Sequence, residues 1–263
     1  MPTFADGALT LEFEGERAQL TLCRPDRRNA LNQAMWRSLS LIAAAVDAQA
    51  GVRVLTVMGD GGNFAAGADI AEFETACATP ELAGQYAAAV HDGLLAFSRM
   101  AKPTIAVIEG FCIGGGVALA LACDIRLASD EARFAVTPAK LGIVYNAFDT
   151  RLLVDAVGSS AARDILFTGR IIDAGRALRL RLIDDAVPAG ELAALAEERC
   201  GLICANSAYS VREAKRMVRR ALDGQALDDA TTRQVSVRSF TGPTFARGRA
   251  AFLAKQAPDF GED

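Results

Sequence analysis

Hydrophobic and polar positions along this chain switch repeatedly between the two-residue period of a β-strand and the three-to-four-residue period of an α-helix. Residues 9–23, LTLEFEGERAQLTLC, predict two short strands joined by a turn at residues 14–16. Residues 32–50, NQAMWRSLSLIAAAVDAQA, predict a helix for which Asn32 is a suitable N-cap. VRVLTVMG, residues 52–59, then predicts a buried strand.

The alternation continues to residue 129. In chain order the pattern predicts a glycine-rich loop at residues 59–69, a short helix at 68–74 and a longer helix at 81–101. A strand at 103–110, a helix at 114–123 and a strand at 124–129 follow. Repeated strand and helix units favour a largely parallel sheet covered by helices, which is an α/β fold. After about residue 188 only helical patterns remain. Residues 226–256 have few apolar positions for a core of their own, so we expect them to pack on the core or at a subunit contact.

Composition limits the kind of partner. The chain has 263 residues, of which 51% are hydrophobic, with 32 acidic and 28 basic side chains. A net charge of −4 argues against a surface built for nucleic acid or for an anionic membrane. No apolar run approaches the ~18 residues of a membrane span, and MPTFADGALT lacks the pattern of a signal peptide. We therefore expect a cytoplasmic protein with a small-molecule partner.

Cysteine and histidine are placed poorly for metal or triad chemistry. The six cysteines show no CxxC spacing, and His91 is the single histidine, so no zinc site is predicted. His91 lies on an apolar helical pattern, YAAAVHDGLLAF, where a structural role is favoured over a catalytic one. A Ser-His-Asp or Cys-His hydrolase is therefore disfavoured.

Two glycine-containing loops each follow an apolar strand. FAAGADI follows the strand at 52–59, and GFCIGGG follows the strand at 103–110. Parallel sheets place ligand crevices at such strand ends, and backbone N–H groups from both loops could converge there on a developing negative charge. The alternative is that the glycines only let a helix pack closely on a strand.

Several stretches together resemble the crotonase superfamily, the enoyl-CoA hydratase/isomerase family, in their usual order. They are FAAGADIAEF, KPTIAVIEGFCIGGGVALALACDIRLAS, FAVTPAKLG, LFTGRIIDAGRALRLRLIDDAV and GRAAFLAKQAPDF. The resemblance implies a crotonase-like spiral of β-β-α units over residues 1–190 and a C-terminal helical trimerisation region over 191–263. It also implies an acyl-CoA thioester as ligand, a thioester enolate as intermediate, a role in fatty acid metabolism, and a homotrimer or a hexamer of two trimers.

The same resemblance implies site residues. The thioester carbonyl would be held by the backbone N–H groups of Ala68 and Gly115. Coenzyme A, as part of the substrate and with no separate cofactor, would contact Arg24, Ala66, Ala68, Asp69, Ile70, Phe252 and Lys255. The basic run REAKRMVRR, residues 212–220, could add to the phosphate contacts, although a solvated helix face is the favoured interpretation.

The chain departs from the family's hydratases at their two glutamates. These align here with Ala118 and Pro138, neither of which can activate water or deliver a proton. An isomerase would usually keep one of the two. The sequence therefore does not support the standard hydratase mechanism.

FAVTPAKLGIVYNAF instead resembles the methylmalonyl-CoA decarboxylase branch, which carries a similar TP turn followed by a YN pair. That resemblance implies that Tyr145 holds the substrate carboxylate out of the thioester plane, with Thr137 and Asn146 as further candidates. Ala68 replaces a histidine of that branch, so water is left as a possible proton donor.

Three functions remain open at this stage. The first is a lyase that releases CO2 from a short malonyl-type thioester, such as methylmalonyl- or ethylmalonyl-CoA. The second is a hydratase or isomerase with an unusual acid or base, either Asp149 or Glu109, which otherwise caps or pairs at a strand end. The third is a CoA-thioester-binding protein without turnover.

Overall fold

The computed structural model describes residues 2–261, and its strands form two sheets. The strands are β1 (Thr3–Phe4), β2 (Leu9–Glu14), β3 (Arg17–Leu22), β4 (Val54–Gly59), β5 (Thr104–Ile108), β6 (Phe111–Ile113), β7 (Ile125–Ser129), β8 (Arg133–Ala135), β9 (Ile172–Asp173) and β10 (Asp185–Val187). The helices are α1 (Gln33–Ala48), α2 (Phe73–Ala76), α3 (Pro80–Ser98), α4 (Gly115–Ala122), α5 (Ala147–Thr168), α6 (Ala174–Arg179), α7 (Ala189–Cys204), α8 (Ala208–Leu222), α9 (Ala230–Thr241) and α10 (Pro243–Ala254).

The larger sheet has seven strands in the order β1-β2-β3-β4-β5-β7-β10. The first three strands pair antiparallel, and every later pair is parallel. Burial alternates along β3, whereas all five residues of β5 are buried, as expected for an inner strand covered on both faces. The predicted α/β fold with a largely parallel sheet is confirmed.

Helices cover both faces of this sheet. On one face, α1 packs against α3, and the α1 residues Trp36, Leu39 and Ile42 are buried in the main core. On the other face, α7 places Leu192, Ala196 and Cys200 against β4, β5 and β7. The predicted N-cap is confirmed, because the Asn32 side chain accepts a hydrogen bond from the Met35 N–H at 2.9 Å.

Helix α4 lies inside the core. Its residues from Gly116 to Ala122 are all buried, which fits a helix that is apolar around its whole circumference. Glycine is needed at 116 because an added Cβ would lie 2.7 Å from the Ala65 carbonyl oxygen. The glycines of this turn therefore do allow a close approach, and they set the helix start against the loop after β4.

A second sheet of three short strands, in the order β6-β8-β9, was not predicted. Residues 111–113, which the sequence pattern assigned to a loop, pair parallel with Arg133–Ala135. The small sheet fixes the GGG turn that follows β6 beside the segment 136–146 that follows β8, because the Gly114 N–H donates to the Ala135 carbonyl at 2.7 Å.

The basic run on α8 is half-buried, so its interpretation as a solvated helix face was wrong. Lys215 is ion-paired with Asp124 at 2.7 Å and also donates to the Lys102 carbonyl at 2.8 Å. The Arg219 guanidinium donates to the Ser98 carbonyl. These long-range contacts join α8 to the ends of α3 and α4. As predicted, the described chain after β10 is helical, and none of its helices could cross a membrane.

Candidate active site

The loop after β4 and the turn after β6 lie against each other. The N–H of Ile113 donates to the Ala65 carbonyl at 2.9 Å, and the N–H of Ala65 donates to the Phe111 carbonyl at 2.9 Å. A Cβ added to Gly115 would lie 3.6 Å from the Ala68 nitrogen, and one added to Gly67 would lie 3.6 Å from the Gly115 nitrogen. The two N–H groups predicted from the loops are therefore neighbours.

Neither of these N–H groups has an acceptor within residues 2–261. Ala68 and Gly115 are both partly exposed, so the donors can be reached by a ligand. Gly115 also begins α4, whose dipole adds positive potential at that end. Two backbone donors and a helix N-terminus form a suitable site for an oxygen that gains negative charge.

Arg24 and Asp69 fix the loop that carries Ala68. The Arg24 guanidinium donates to Asp69 Oδ2 at 2.8 Å and to the Ala30 carbonyl at 2.6 Å, and both side chains of the pair are largely buried. The Asp69 N–H donates to the Leu31 carbonyl at 2.9 Å. The pair thus ties residue 69, just after Ala68, to the segment at residues 24–30, while the Leu31 backbone bonds to Gly67 and Asp69 on the two sides of Ala68.

Carboxylates are absent from the two positions that align with the glutamates of the family's hydratases. Ala118 is fully buried in α4, and Pro138 begins a 3-10 turn for which Thr137 is the preceding residue. The Thr137 Oγ1 lies near the GGG turn, 3.9 Å from the position of a Cβ on Gly114. Glu109 is half-buried at the end of β5, where its carbonyl accepts from the Phe64 N–H at 2.8 Å.

Tyr145, Asn146 and Asp149 form a cluster at the start of α5. Asn146 caps the helix, accepting from the Asp149 N–H at 2.8 Å and donating to Asp149 Oδ2 at 2.9 Å. The Tyr145 hydroxyl and Asp149 Oδ1 are buried and lack a hydrogen-bond partner in the described chain. Burial raises the pKa of Asp149 to about 6, opposed by the Asn146 hydrogen bond and by His91. Burial, followed by the charge of Asp149, also raises the pKa of Tyr145.

His91 is exposed on α3, where its ring meets that of Phe148 edge-on at 5.4 Å. Among residues 2–261 no group of three or more His, Cys, Asp or Glu side chains is arranged to hold a metal ion.

Two polar aromatic side chains near the N–H pair were missed at the sequence level. Trp36 Nε1 and the Tyr86 hydroxyl are buried without a hydrogen-bond partner in the part of the chain that the structure describes. The indole ring lies against Gly115, since a Cβ there would be 2.9 Å from Trp36 Cζ2. Both residues lie on apolar helical patterns, from which only core packing would be predicted.

The residues expected to bind coenzyme A lie in two separate regions. Ala66 and Ile70 lie on the loop with Ala68; the Ala66 N–H donates to the Arg28 carbonyl at 2.8 Å, and Ile70 is exposed. Phe252 and Lys255 lie at the end of α10, where Phe252 is 81% exposed. No hydrogen bond or ion pair of residues 2–261 joins these two regions.

The chain is similar to known proteins of one family. The model of the enoyl-CoA hydratase/isomerase family matches residues 12–263. A solved structure from Hyphomonas neptunium, assigned to that family, is 42% identical with a TM-score of 0.94, covering 97% of this chain and 98% of that one. An enoyl-CoA hydratase/carnithine racemase from Magnetospirillum magneticum is 34% identical with a TM-score of 0.94, covering 99% and 97%. The chain is also 33% identical over 242 residues to the protein named probable enoyl-CoA hydratase in Mycobacterium tuberculosis, covering 92% of this chain and 93% of that protein.

Proposed function

Because this chain belongs to the enoyl-CoA hydratase/isomerase family and is an acyl-CoA enzyme of that family, we propose that it decarboxylates a short malonyl-type CoA thioester, such as methylmalonyl- or ethylmalonyl-CoA. One observation carries the proposal. The pair of free N–H groups at Ala68 and Gly115 is present, while Ala118 and Pro138 stand where the family's hydratases have their acid and base. Such a site can stabilise an enolate but lacks the usual means of adding water.

Decarboxylation needs the fewest groups from the protein. The bond between the α-carbon and the carboxylate breaks, CO2 leaves, and the electron pair moves into the thioester carbonyl as an enolate. The N–H groups of Ala68 and Gly115 would stabilise the enolate oxygen, a contribution of about 3 kcal/mol per donor in comparable sites. A proton from water then returns to the α-carbon.

The Tyr145 hydroxyl is our candidate for holding the departing carboxylate. Its pKa is raised by burial, so it remains a hydrogen-bond donor at physiological pH, and it has no partner within residues 2–261. A donor in that position would keep the breaking bond perpendicular to the thioester plane, where its electrons overlap with the carbonyl. Thr137, on the segment after β8, is a second candidate, whereas the Asn146 amide already bonds to Asp149.

For the coenzyme, we propose that the Ala66 carbonyl and the exposed Ile70 side chain contact the nucleotide end. Arg24 can add a cationic contact only with the donors that its bonds to Asp69 and Ala30 leave free. Phe252 and Lys255 of α10 would complete the site from a neighbouring subunit of a trimer or hexamer.

A hydratase or isomerase with an unusual acid is the second candidate. The observation in its favour is Asp149, a buried carboxyl whose pKa of about 6 suits proton transfer near neutral pH. The name of the Mycobacterium tuberculosis relative points the same way. In this alternative Asp149, or less directly Glu109, would replace the two missing glutamates.

One panel of substrates separates the candidates. The purified protein would be incubated with methylmalonyl-, ethylmalonyl-, malonyl- and crotonyl-CoA, and each thioester followed by mass spectrometry. We expect loss of CO2 from a malonyl-type thioester, and hydration of crotonyl-CoA at least ~100-fold slower than by a relative with both glutamates. Rapid hydration without loss of CO2 would refute the decarboxylase and favour Asp149 as the acid.

A further inference from the structure

We infer that the cavity between α8, α5 and the C-terminal ends of α3 and α4 is a second ligand site, and that it binds a fatty carboxylate. The acidic head group would lie at Arg99 and Arg219, with the apolar chain along the cavity wall. The cavity has a volume of about 510 Å³, which is within the range of small-molecule sites. The inference goes beyond the proposed function and does not depend on which bond the enzyme breaks.

The cavity is separate from the proposed oxyanion site. Gly115 begins α4, whereas Leu121, near the other end of that helix, lines the cavity. At a rise of about 1.5 Å per residue, Leu121 lies about 9 Å along the helix axis from Gly115. Among the described lining residues there is neither Ala68 nor Tyr145, and none belongs to the segment 226–256 that we expect at a subunit contact. A ligand in the cavity would therefore leave the thioester site free.

The acidic groups of the cavity wall are already neutralised. Asp124 is paired with Lys215 at 2.7 Å. Arg151 pairs with Asp155 at 3.4 Å and with Asp223 at 2.8 Å. These ion pairs leave no carboxylate among the described lining residues to balance a further cation.

Arg99 and Arg219 also line the cavity and have no ion pair in residues 2–261. The Arg219 guanidinium donates to the Ser98 carbonyl, an uncharged acceptor at the end of α3. Burial lowers the pKa of Arg219, Asp124 raises it, and the nearby charge of Arg99 lowers it further. The two guanidinium groups thus repel each other. An anion between them would replace this repulsion with charge-assisted hydrogen bonds.

The remaining wall is largely apolar, which indicates the other half of the ligand. Two apolar residues of α8, Val218 and Leu222, are 61% and 53% exposed beside the cavity. Helices α3, α4 and α5 contribute Leu95, Leu121, Phe148 and Leu152. Such a wall favours a hydrocarbon chain over a nucleotide or a sugar phosphate, whose polar groups would lose water without gaining partners. A carboxylate on that chain suits the planar donors of two guanidinium groups.

Calorimetric titration of the assembled protein separates the contributions of head group and chain. Octanoate carries both, octan-1-ol carries a chain without the charge, and acetate carries the charge without a chain. We expect one octanoate to bind per chain, about tenfold more tightly than octan-1-ol, and acetate to bind far more weakly than either. Octanoate should bind equally well in excess octanoyl-CoA, which occupies the thioester site.

Three results of this titration would overturn the inference. Displacement of octanoate by octanoyl-CoA would place it in the thioester site. Equal affinities for octanoate and octan-1-ol would show that the arginines do not bind the head group. No binding of octanoate would show that the cavity is closed in the assembled protein, as it would be if a second copy of the chain covered it.

Variants then locate the head group. Arg99→Gln neutralises an exposed side chain that has no ion pair in the described chain, so the fold should be kept. Its affinity for octanoate should fall about tenfold, with the affinity for octan-1-ol unchanged. Val218→Asp, on the apolar wall, should weaken the binding of both ligands. Arg163→Gln is the matched control, because it neutralises an exposed arginine of α5 outside the cavity. Full octanoate affinity in Arg99→Gln, or an equal loss in Arg163→Gln, would refute the assignment.

Discussion

The Gly115 backbone lies so close to the Trp36 indole that a methyl group on Gly115 would be 2.9 Å from Cζ2. That separation is too short for two carbon atoms in contact. Either the ring or the turn must therefore move when Gly115 is replaced by alanine. The contact links the core helix α1 directly to a donor of the proposed oxyanion site.

We predict that Gly115→Ala lowers kcat on the best thioester by about 100-fold, because the N–H at 115 is shifted from the carbonyl oxygen. Steady-state kinetics with circular dichroism of the folded protein checks this. Gly190→Ala in α7 is the control, since an added Cβ at 190 meets no atom within 4 Å. Full activity of Gly115→Ala would show that this N–H does not hold the thioester oxygen.

Gly93 allows α3 to approach α1. A Cβ at position 93 would lie 2.6 Å from the Trp36 carbonyl oxygen, which belongs to the backbone of α1 and cannot turn away. We predict that Gly93→Ala destabilises the protein by about 1–3 kcal/mol in urea unfolding.

Gly84 lies on the same helix and serves as the control for Gly93. A Cβ at position 84 meets nothing within 4 Å, so Gly84→Ala should stabilise α3 by up to ~1 kcal/mol through helix propensity. If the two substitutions change the free energy of unfolding by similar amounts, the close approach of α3 to α1 does not restrict the size of the side chain at position 93.

The last two helices expose large apolar side chains. Phe240, Phe252 and Leu253 are 68%, 81% and 73% exposed, and α10 contains no buried residue. Apolar area of this kind is typical of a subunit contact. We predict a trimer or hexamer by light scattering at micromolar concentration and a shift toward monomer in Phe252→Asp. A monomer of the unmodified chain would contradict the assignment of residues 226–256 to assembly.

Local sequence pattern was sufficient for most of the large sheet and for α1 and α3, because their apolar periods are long and α1 has a clear N-cap. Helix α4 was predicted from the apolar run that follows the glycine triplet. Local pattern was insufficient for β6, β8 and β9, since strands of two or three residues have no measurable period. The ion-pair partners of α8 could not be predicted from local pattern either, because Lys215 pairs with Asp124, which is distant in the sequence.

Within the site, the two loops were predicted and their N–H groups are adjacent in the structure. Trp36 and Tyr86 were not predicted, since an apolar helical pattern does not distinguish a core aromatic from one with an unpaired donor. For Tyr145 the sequence suggested a role but gave no information on burial. Tyr145 packs against the core just before α5, and this packing depends on contacts from distant segments of the chain. The Tyr145 hydroxyl is thereby buried without a hydrogen-bond partner in the described chain.

Asp149 should make stability depend on pH. Its folded pKa, about 6, is above its ordinary value of 3.8, so the fold favours the protonated form, and stability falls as pH rises through that interval. We predict that Asp149→Asn, which keeps an acceptor for Asn146, stabilises the protein by under ~1 kcal/mol at pH 4 and by up to about 3 kcal/mol at pH 8. Urea unfolding at both pH values measures this. An equal effect at the two pH values would show that Asp149 does not titrate with a raised pKa.

Tyr145→Phe tests the proposed reaction most directly. The hydroxyl has no partner within residues 2–261, so its removal should leave the free energy of unfolding unchanged or slightly higher. On a malonyl-type thioester, kcat should fall ~10-fold to 1000-fold, because the carboxylate loses a charge-assisted hydrogen bond and its orientation, while affinity for the CoA moiety is kept. Thermal unfolding and steady-state kinetics on the same preparation separate these effects. If every accepted substrate reacts at the unmodified rate, Tyr145 does not hold the carboxylate, and proton transfer by Asp149 becomes the better account of the site.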